Sequence, residues 1–129
     1  MNQMREELRR LLAVVPGKGP GEFGATLTLP ANFALFADHF PGQPVLPGFC
    51  LLQLVLAATE IHFRRTGLEL QQVKSAKFLA PVLPEQPLTI HGQITVAPEP
   101  DLLAIKATVI AGDQKAASIS LLAAWQRAQ

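Results

Sequence analysis

Residues 49–65 read FCLLQLVLAATEIHFRR, a run without glycine or proline that stops two residues short of Gly67. The spacing predicts one helix of about 25 Å. Its only more polar stripe is Gln53, Ala57, Glu60 and Arg64, and a helix apolar on nearly every face has to be enclosed by other elements. The following sequence supplies that enclosure as four predicted strands, at roughly 71–80, 86–97, 102–111 and 114–126. Leu88, Ile90, Ile94 and Val96 alternate with Thr89, His91, Gln93 and Thr95. Leu103, Ile105, Ala107 and Val109 alternate in the same way with Ala104, Lys106 and Thr108, and a period of two marks a half-buried strand. Gly112 and Asp113 suit a two-residue hairpin, and Pro98 to Asp101 suits the other tip.

Upstream, Met4, Leu8, Leu11, Leu12 and Val15 recur at helical spacing between charges, which predicts an amphipathic helix over 2–15 ended by Pro16 and Gly17. In EFGATLTLP (22–30), Phe23, Ala25, Leu27 and Leu29 alternate as in a strand. Residues 31–48 are broken by prolines and glycines in an apolar context, predicting a shaped, buried connection. The expected architecture is a single α+β domain over 1–129, a meander of antiparallel strands wrapped around one long central helix.

The whole chain has 129 residues, 49% apolar and 16% charged, which excludes disorder by high charge and leaves a low-charge surface that calls for a partner. Eleven Lys and Arg against ten Asp and Glu give a net charge of +1, too balanced for the phosphate-neutralising patch that nucleic-acid binding needs. Cys50 is the single cysteine and the three histidines are scattered, so no zinc ligand set is expected and a reducing compartment is. MNQMREELRRLLAVVPG lacks the core of a signal peptide, and FCLLQLVLAA is too short to span a bilayer. A cytoplasmic protein is the expectation.

Gly19, Gly21 and Gly24 satisfy a G-x-G-x-x-G pattern, but dinucleotide binding requires a strand before it and a helix after it. Here a predicted helix precedes and a predicted strand follows. The informative stretch is DHFPGQPVLPGFCLLQ, residues 38–53. His39 lies in a rigid loop directly before the apolar helix, where a fixed backbone can hold an imidazole as a base. Gly48 lies at the helix start, where unpaired N–H groups and the positive end of the dipole can receive a developing oxyanion. Pro-Gly turns also serve as plain helix entries, so these residues alone leave both readings open.

The stretch resembles the signature of the 3-hydroxyacyl-acyl-carrier-protein dehydratases of the FabZ and FabA type, a histidine followed by FPGxPxxPG. It is matched here by His39, Phe40, Pro41, Gly42, Pro44, Pro47 and Gly48. A second block, KFLAPVLPEQPL (77–88), is similar to the family's later strand, with landmarks at Phe78, Pro81, Val82 and Pro84. The resemblance implies a hotdog fold, a sheet wrapped around the central helix, and a homodimer with active sites in tunnels at the interface. It further implies that Phe40, Pro47, Phe49 and Phe78 contact the acyl chain, and that neither a metal nor a cofactor takes part. The substrate implied is a 3-hydroxyacyl thioester on acyl carrier protein or coenzyme A.

One departure matters: fourteen residues after the histidine, where the family carries Glu or Asp reaching the partner's histidine, this chain has Gln53. Dehydration needs a base, an oxyanion site and a proton for the leaving hydroxyl. His39 and the Gly48 N–H suit the first two roles, whereas an amide is no general acid at neutral pH. Losing one acid costs about 10² to 10⁴ in rate, although protonated His39 can return its own proton. Glutamate has nearly the shape of glutamine, so Gln53→Glu is expected to restore the acid in a homodimer that merely lacks one. The alternatives are an impaired acyl-binding or partner subunit of a heteromeric hotdog dehydratase, and a hotdog thioesterase. Glu60 reads as the partner of Arg64, four residues on. His62 and His91 read as helix-end and solvent-face residues, and Cys50 as a packed thiol in apolar surroundings, although a helix start can lower a thiol's pKa. Arg64, Arg65, Lys74 and Lys77 are candidates for docking an acidic carrier.

Overall fold

The computed structural model describes residues 3–33, 36, 45–99 and 101–126. Helix α1 spans Gln3–Leu11, strand β1 Ala13–Pro16, β2 Glu22–Thr28, helix α2 Gly48–Phe63, β3 Leu68–Phe78, β4 Pro87–Val96, β5 Leu102–Ala111 and β6 Gln114–Trp125. The strands form one antiparallel sheet in the order β1-β2-β4-β5-β6-β3. Strands β4, β5 and β6 make the expected meander. Strand β3 crosses to the far edge beside β6, while β2 pairs with β4. This is the α+β hotdog arrangement, with α2 against the sheet.

The period-two residues form the face that receives α2. Leu88 and Ile90 of β4, Ile105 and Val109 of β5, and Ile119 and Leu121 of β6 are at most 2% exposed. Along α2 every residue from Leu54 to Glu60 is equally buried, although those positions circle the helix. Of the polar stripe, Gln53 and Glu60 meet the guanidinium groups of Arg5 and Arg9 on α1, where Leu8 is buried, while Arg64 is exposed.

That contact corrects two expectations. The predicted helix over 2–15 ends at Leu11, because the chain then extends into β1 and pairs Ala13 to Pro16 with Thr26 to Phe23. Glu60 does not pair with Arg64. Its Oε1 accepts from Arg9 at 3.1 Å, and its Oε2 accepts from Arg5 at 3.3 Å and from the backbone N–H groups of Gly67 and Leu68 at 2.9 and 3.0 Å. Arg5 Nη1 also donates to the Leu68 carbonyl. Arg64 instead closes α2 in the left-handed conformation, φ 54°, with the Arg65 N–H reaching back to the Glu60 carbonyl. Gly67, expected as the helix stop, has φ 86° and turns the chain into β3.

The glycine pattern at 19–24 runs from the β1–β2 hairpin loop into β2, where Gly24 pairs with Val15, and the Glu22 carboxylate accepts from the Gly19 N–H at 2.7 Å. Gly112, φ 63°, opens the two-residue β5–β6 hairpin as expected. The two sheet edges differ: β1 is four residues long and ends in Pro16, whereas β3 has eleven residues, of which only Leu68 is buried. Among the described residues no helix is long and apolar enough to cross a membrane.

Removing one partner from a buried charged cluster strands the others without solvent. Glu60→Ala is therefore expected to cost about 3–5 kcal/mol of unfolding free energy, read as a lower urea midpoint; an unchanged midpoint contradicts this account.

Candidate functional site

His39 and Phe40, together with Asp38, Pro41, Gly42 and Pro44, lie outside the described residues. The rest of the motif converges on the second block. Helix α2 begins at Gly48 after Pro47, whose φ of −61° and ψ of 145° deliver an extended chain to the helix, and no side chain caps that end. The Phe78 ring lies on Gly48: a Cβ there would stand 2.9 Å from Phe78 Cζ. Any larger residue would displace the ring or the helix. The Leu46 N–H donates to the Val82 carbonyl at 2.9 Å, which fastens the loop before the helix to the segment after β3.

Between the two blocks lies a cavity of about 410 Å³ lined by Val45, Leu46, Gly48, Leu51 and the segment from Phe78 to Val82. Its walls are apolar apart from backbone, and Gly48 at the start of α2 is part of the lining. Pro47 is buried and is not part of this lining. Phe49 and Phe78 are 53% and 51% exposed, and Leu79, next along, is 57% exposed. These side chains present a substantial apolar surface beside the cavity.

Gln53 is not in the cavity wall. Five residues beyond Gly48, it is rotated by about 140° around the helix axis and faces α1, where its Oε1 accepts from Arg5 Nη2 at 2.8 Å and Nε at 3.1 Å. Within one chain, then, Gly48 and Phe78 come together and Gln53 stands apart. Arg5 is the residue that sequence reasoning missed. The available signal was a carboxylate on an otherwise apolar helix, which demands buried donors, with Arg5 and Arg9 spaced one helical turn apart.

Cys50 is wholly buried, and burial pushes its thiol up to about 12 from an ordinary 9.0; desolvation outweighs any help from the helix start. The four cations expected to dock a carrier do not form one patch. Arg65 lies over Trp125, 4.6 Å from the ring centroid, and pairs with Asp101 at 3.8 Å. Lys77 is at the opposite end of β3, about 30 Å away at strand rise. His62, in the last turn of α2, stacks on Phe23 with centroids 5.3 Å apart, and His91 is exposed on β4. Among the described residues no cluster of His, Cys, Asp and Glu is placed to hold a metal.

Residues 18–118 match the ApeI-like family, described as ApeI dehydratase. The chain belongs to the ApeI-like dehydratases. A 3-hydroxyacyl-[acyl-carrier-protein] dehydratase FabZ of Latilactobacillus sakei is 34% identical over 110 residues, covering 79% of this chain and 77% of that protein. Another, from Levilactobacillus brevis, is 29% identical over 109 residues, covering 79% and 73%. Among solved structures, the dehydratase heterocomplex ApeI:P from Xenorhabdus doucetiae superposes with a TM-score of 0.64 at 22% identity, over 87% of this chain and 94% of that one. The E. coli PaaI protein from the phenylacetic acid degradation operon gives 0.68 at 14% identity, over 94% and 86%. The structural likenesses establish the hotdog fold of this ApeI-like chain.

The native thiol of Cys50 is expected to resist iodoacetamide at pH 8 and to react once urea unfolds the chain. Because the folded chain keeps the thiol proton up to about 12 and the unfolded chain loses it near 9.0, this contribution to stability is intact below 9.0 and lost as pH rises toward 12. The urea midpoint of Cys50→Ala should accordingly fall less than that of the native chain over that range.

Proposed function

We propose that this ApeI-like protein acts on 3-hydroxyacyl thioesters carried by acyl carrier protein or coenzyme A, as a dehydratase whose base is His39. The observation that carries this reading is the meeting of the two signature blocks at one apolar cavity, with Phe78 on Gly48 and Leu46 tied to Val82. The Gly48 N–H receives the thioester oxygen as His39 takes the proton beside the carbonyl, and charge develops where the helix dipole favours it. Phe40, Phe49 and Phe78 hold the acyl chain, with Pro47 shaping the wall behind. No metal or cofactor enters these steps.

The proton for the departing hydroxyl is the open role. Gln53 faces away from its own chain's cavity, and the exposed edge β3 with Phe49, Phe78 and Leu79 supplies a surface on which a second hotdog chain can bring its equivalent helix to that cavity. A homodimer sets His39 of each chain against Gln53 of the other. Turnover then relies on His39 returning its own proton. A second reading follows from Gln53: the chain serves in a heterodimer whose other member carries Glu or Asp at that position. The ApeI:P structure, named as a heterocomplex, gives that reading a precedent among its structural neighbours.

Sedimentation equilibrium of the isolated chain at micromolar concentration is expected to return twice the 13.9 kDa chain mass. A stable monomer there, with no dimer, removes the homodimeric site.

Dehydration and hydration assays on carrier-bound substrates test the activity directly. His39→Ala should abolish turnover while leaving the urea midpoint unchanged, and wild-type turnover in that variant would refute the base assignment. In the heteromeric case, mixing the native chain with a Glu-bearing hotdog chain raises turnover by about 10-fold or more, the effect of a positioned general acid.

A further inference from the structure

We propose that the face of the sheet turned away from α2 is an interface to a second copy of this chain, in which Lys106 of each copy pairs with Glu22 of the other. Cross-strand partners share a face of a sheet, and the register sets one row across this one: Glu22 on β2, Gln93 on β4, Lys106 on β5, Ser120 on β6 and Ser75 on β3. All five line a recess of about 610 Å³. Their chain neighbours Phe23, Ile105 and Ile119 are buried on the opposite face, toward α2. The adjoining row is Val15, Gly24, His91, Thr108, Ser118 and Lys77. Gly24 puts no side chain into it, and a second hollow, of about 410 Å³, opens between Val15, Gly24 and His91.

The charges of the first row make the face self-complementary. Lys106 forms no ion pair among the described residues, and the Glu22 carboxylate, which accepts from the Gly19 N–H through Oε2, keeps acceptor capacity. They stand two strands apart, about 10 Å, with Gln93 midway. A two-fold axis lying in the interface along β4 exchanges them, bringing each Lys106 over the other copy's Glu22. Gln93 then meets Gln93, and an amide, being donor and acceptor, can pair with itself. Thr108 comes over the gap at Gly24. The remaining lysines that the register places on this face meet no cation: Lys115, in the row of Ala13, Thr26, Thr89 and Ile110, comes over Ala13, and Lys77 lies on β3 outside the overlap. A uniformly acidic or basic partner would set one of the two central charges against its like; a second copy does not. Strand β3 also stays free, so the edge pairing proposed for the dehydratase site is compatible with this one.

The test is sedimentation velocity of the full chain over a range of concentrations. An overlap of a few strands is small for a protein interface, so the step belongs at about 100 μM or above. There the native chain should reach twice the mass it shows at micromolar concentration, which separates this association from the pairing at β3. Lys106→Glu and Glu22→Lys should each weaken the doubling by about 10-fold or more, since each sets like charges together at both ends of the row. Mixed in equal amounts, the two variants present an acidic row to a basic one and should associate with each other as the native chain does with itself. No doubling in the native chain up to about 500 μM, native doubling in Lys106→Glu, or a mixture that associates no better than its components overturns the proposal. Where Glu22→Lys fails to fold for want of the Gly19 hydrogen bond, the lysine position decides: Lys106→Met should weaken the doubling and Lys106→Glu should weaken it further, and equal doubling in the native chain and both variants overturns the pairing.

Discussion

A carboxylate buried on an apolar helix is tolerable only when its oxygens are fully engaged, and Glu60 meets that condition by drawing on separate parts of the chain at once. Its partners come from α1 through Arg5 and Arg9 and from the entry to β3 through the N–H groups of Gly67 and Leu68. The desolvation cost of the group is offset only while all of them are present. Glu60 thus locks α1 across the side of α2 that the sheet leaves uncovered, and it fixes where the chain leaves the helix for the edge strand.

From that lock the site divides in two. One side of α2 carries the Gly48 terminus, the Phe78 ring and the apolar cavity; another carries Gln53 under the guanidinium of Arg5. A rigid helix cannot turn both toward one substrate, so Gln53 can take part in the proposed chemistry only at the cavity of a second chain. The long exposed strand β3 and the apolar side chains beside the cavity lie where such a chain can be received, while Pro16 shields the short opposite edge.

The structural core and the catalytic signature sit on different kinds of information. Gly48 is required because an aromatic ring lies against it, and Cys50 is inert because burial keeps its proton on. Both reasons are packing reasons, although both residues fall inside the motif that drew attention for its chemistry.

Much was legible in the sequence because it depends on local periodicity. The apolar run at 49–65 dictated a buried helix, the period-two segments dictated the strands around it, and the two Pro/Gly blocks pointed to the dehydratase family. Three things were not legible, all for the same physical reason: they depend on contacts between residues far apart in the chain. The sheet order, with β3 sent beyond β6, follows from which edges find partners. The partner of Glu60 was read as Arg64 at helical spacing, but burial by α1 placed Arg5 and Arg9 nearer and left Arg64 to close the helix. That Gln53 meets a guanidinium rather than its own chain's cavity is a matter of how α1 docks, and only the tertiary structure, bringing residue 5 to residue 53, decided it.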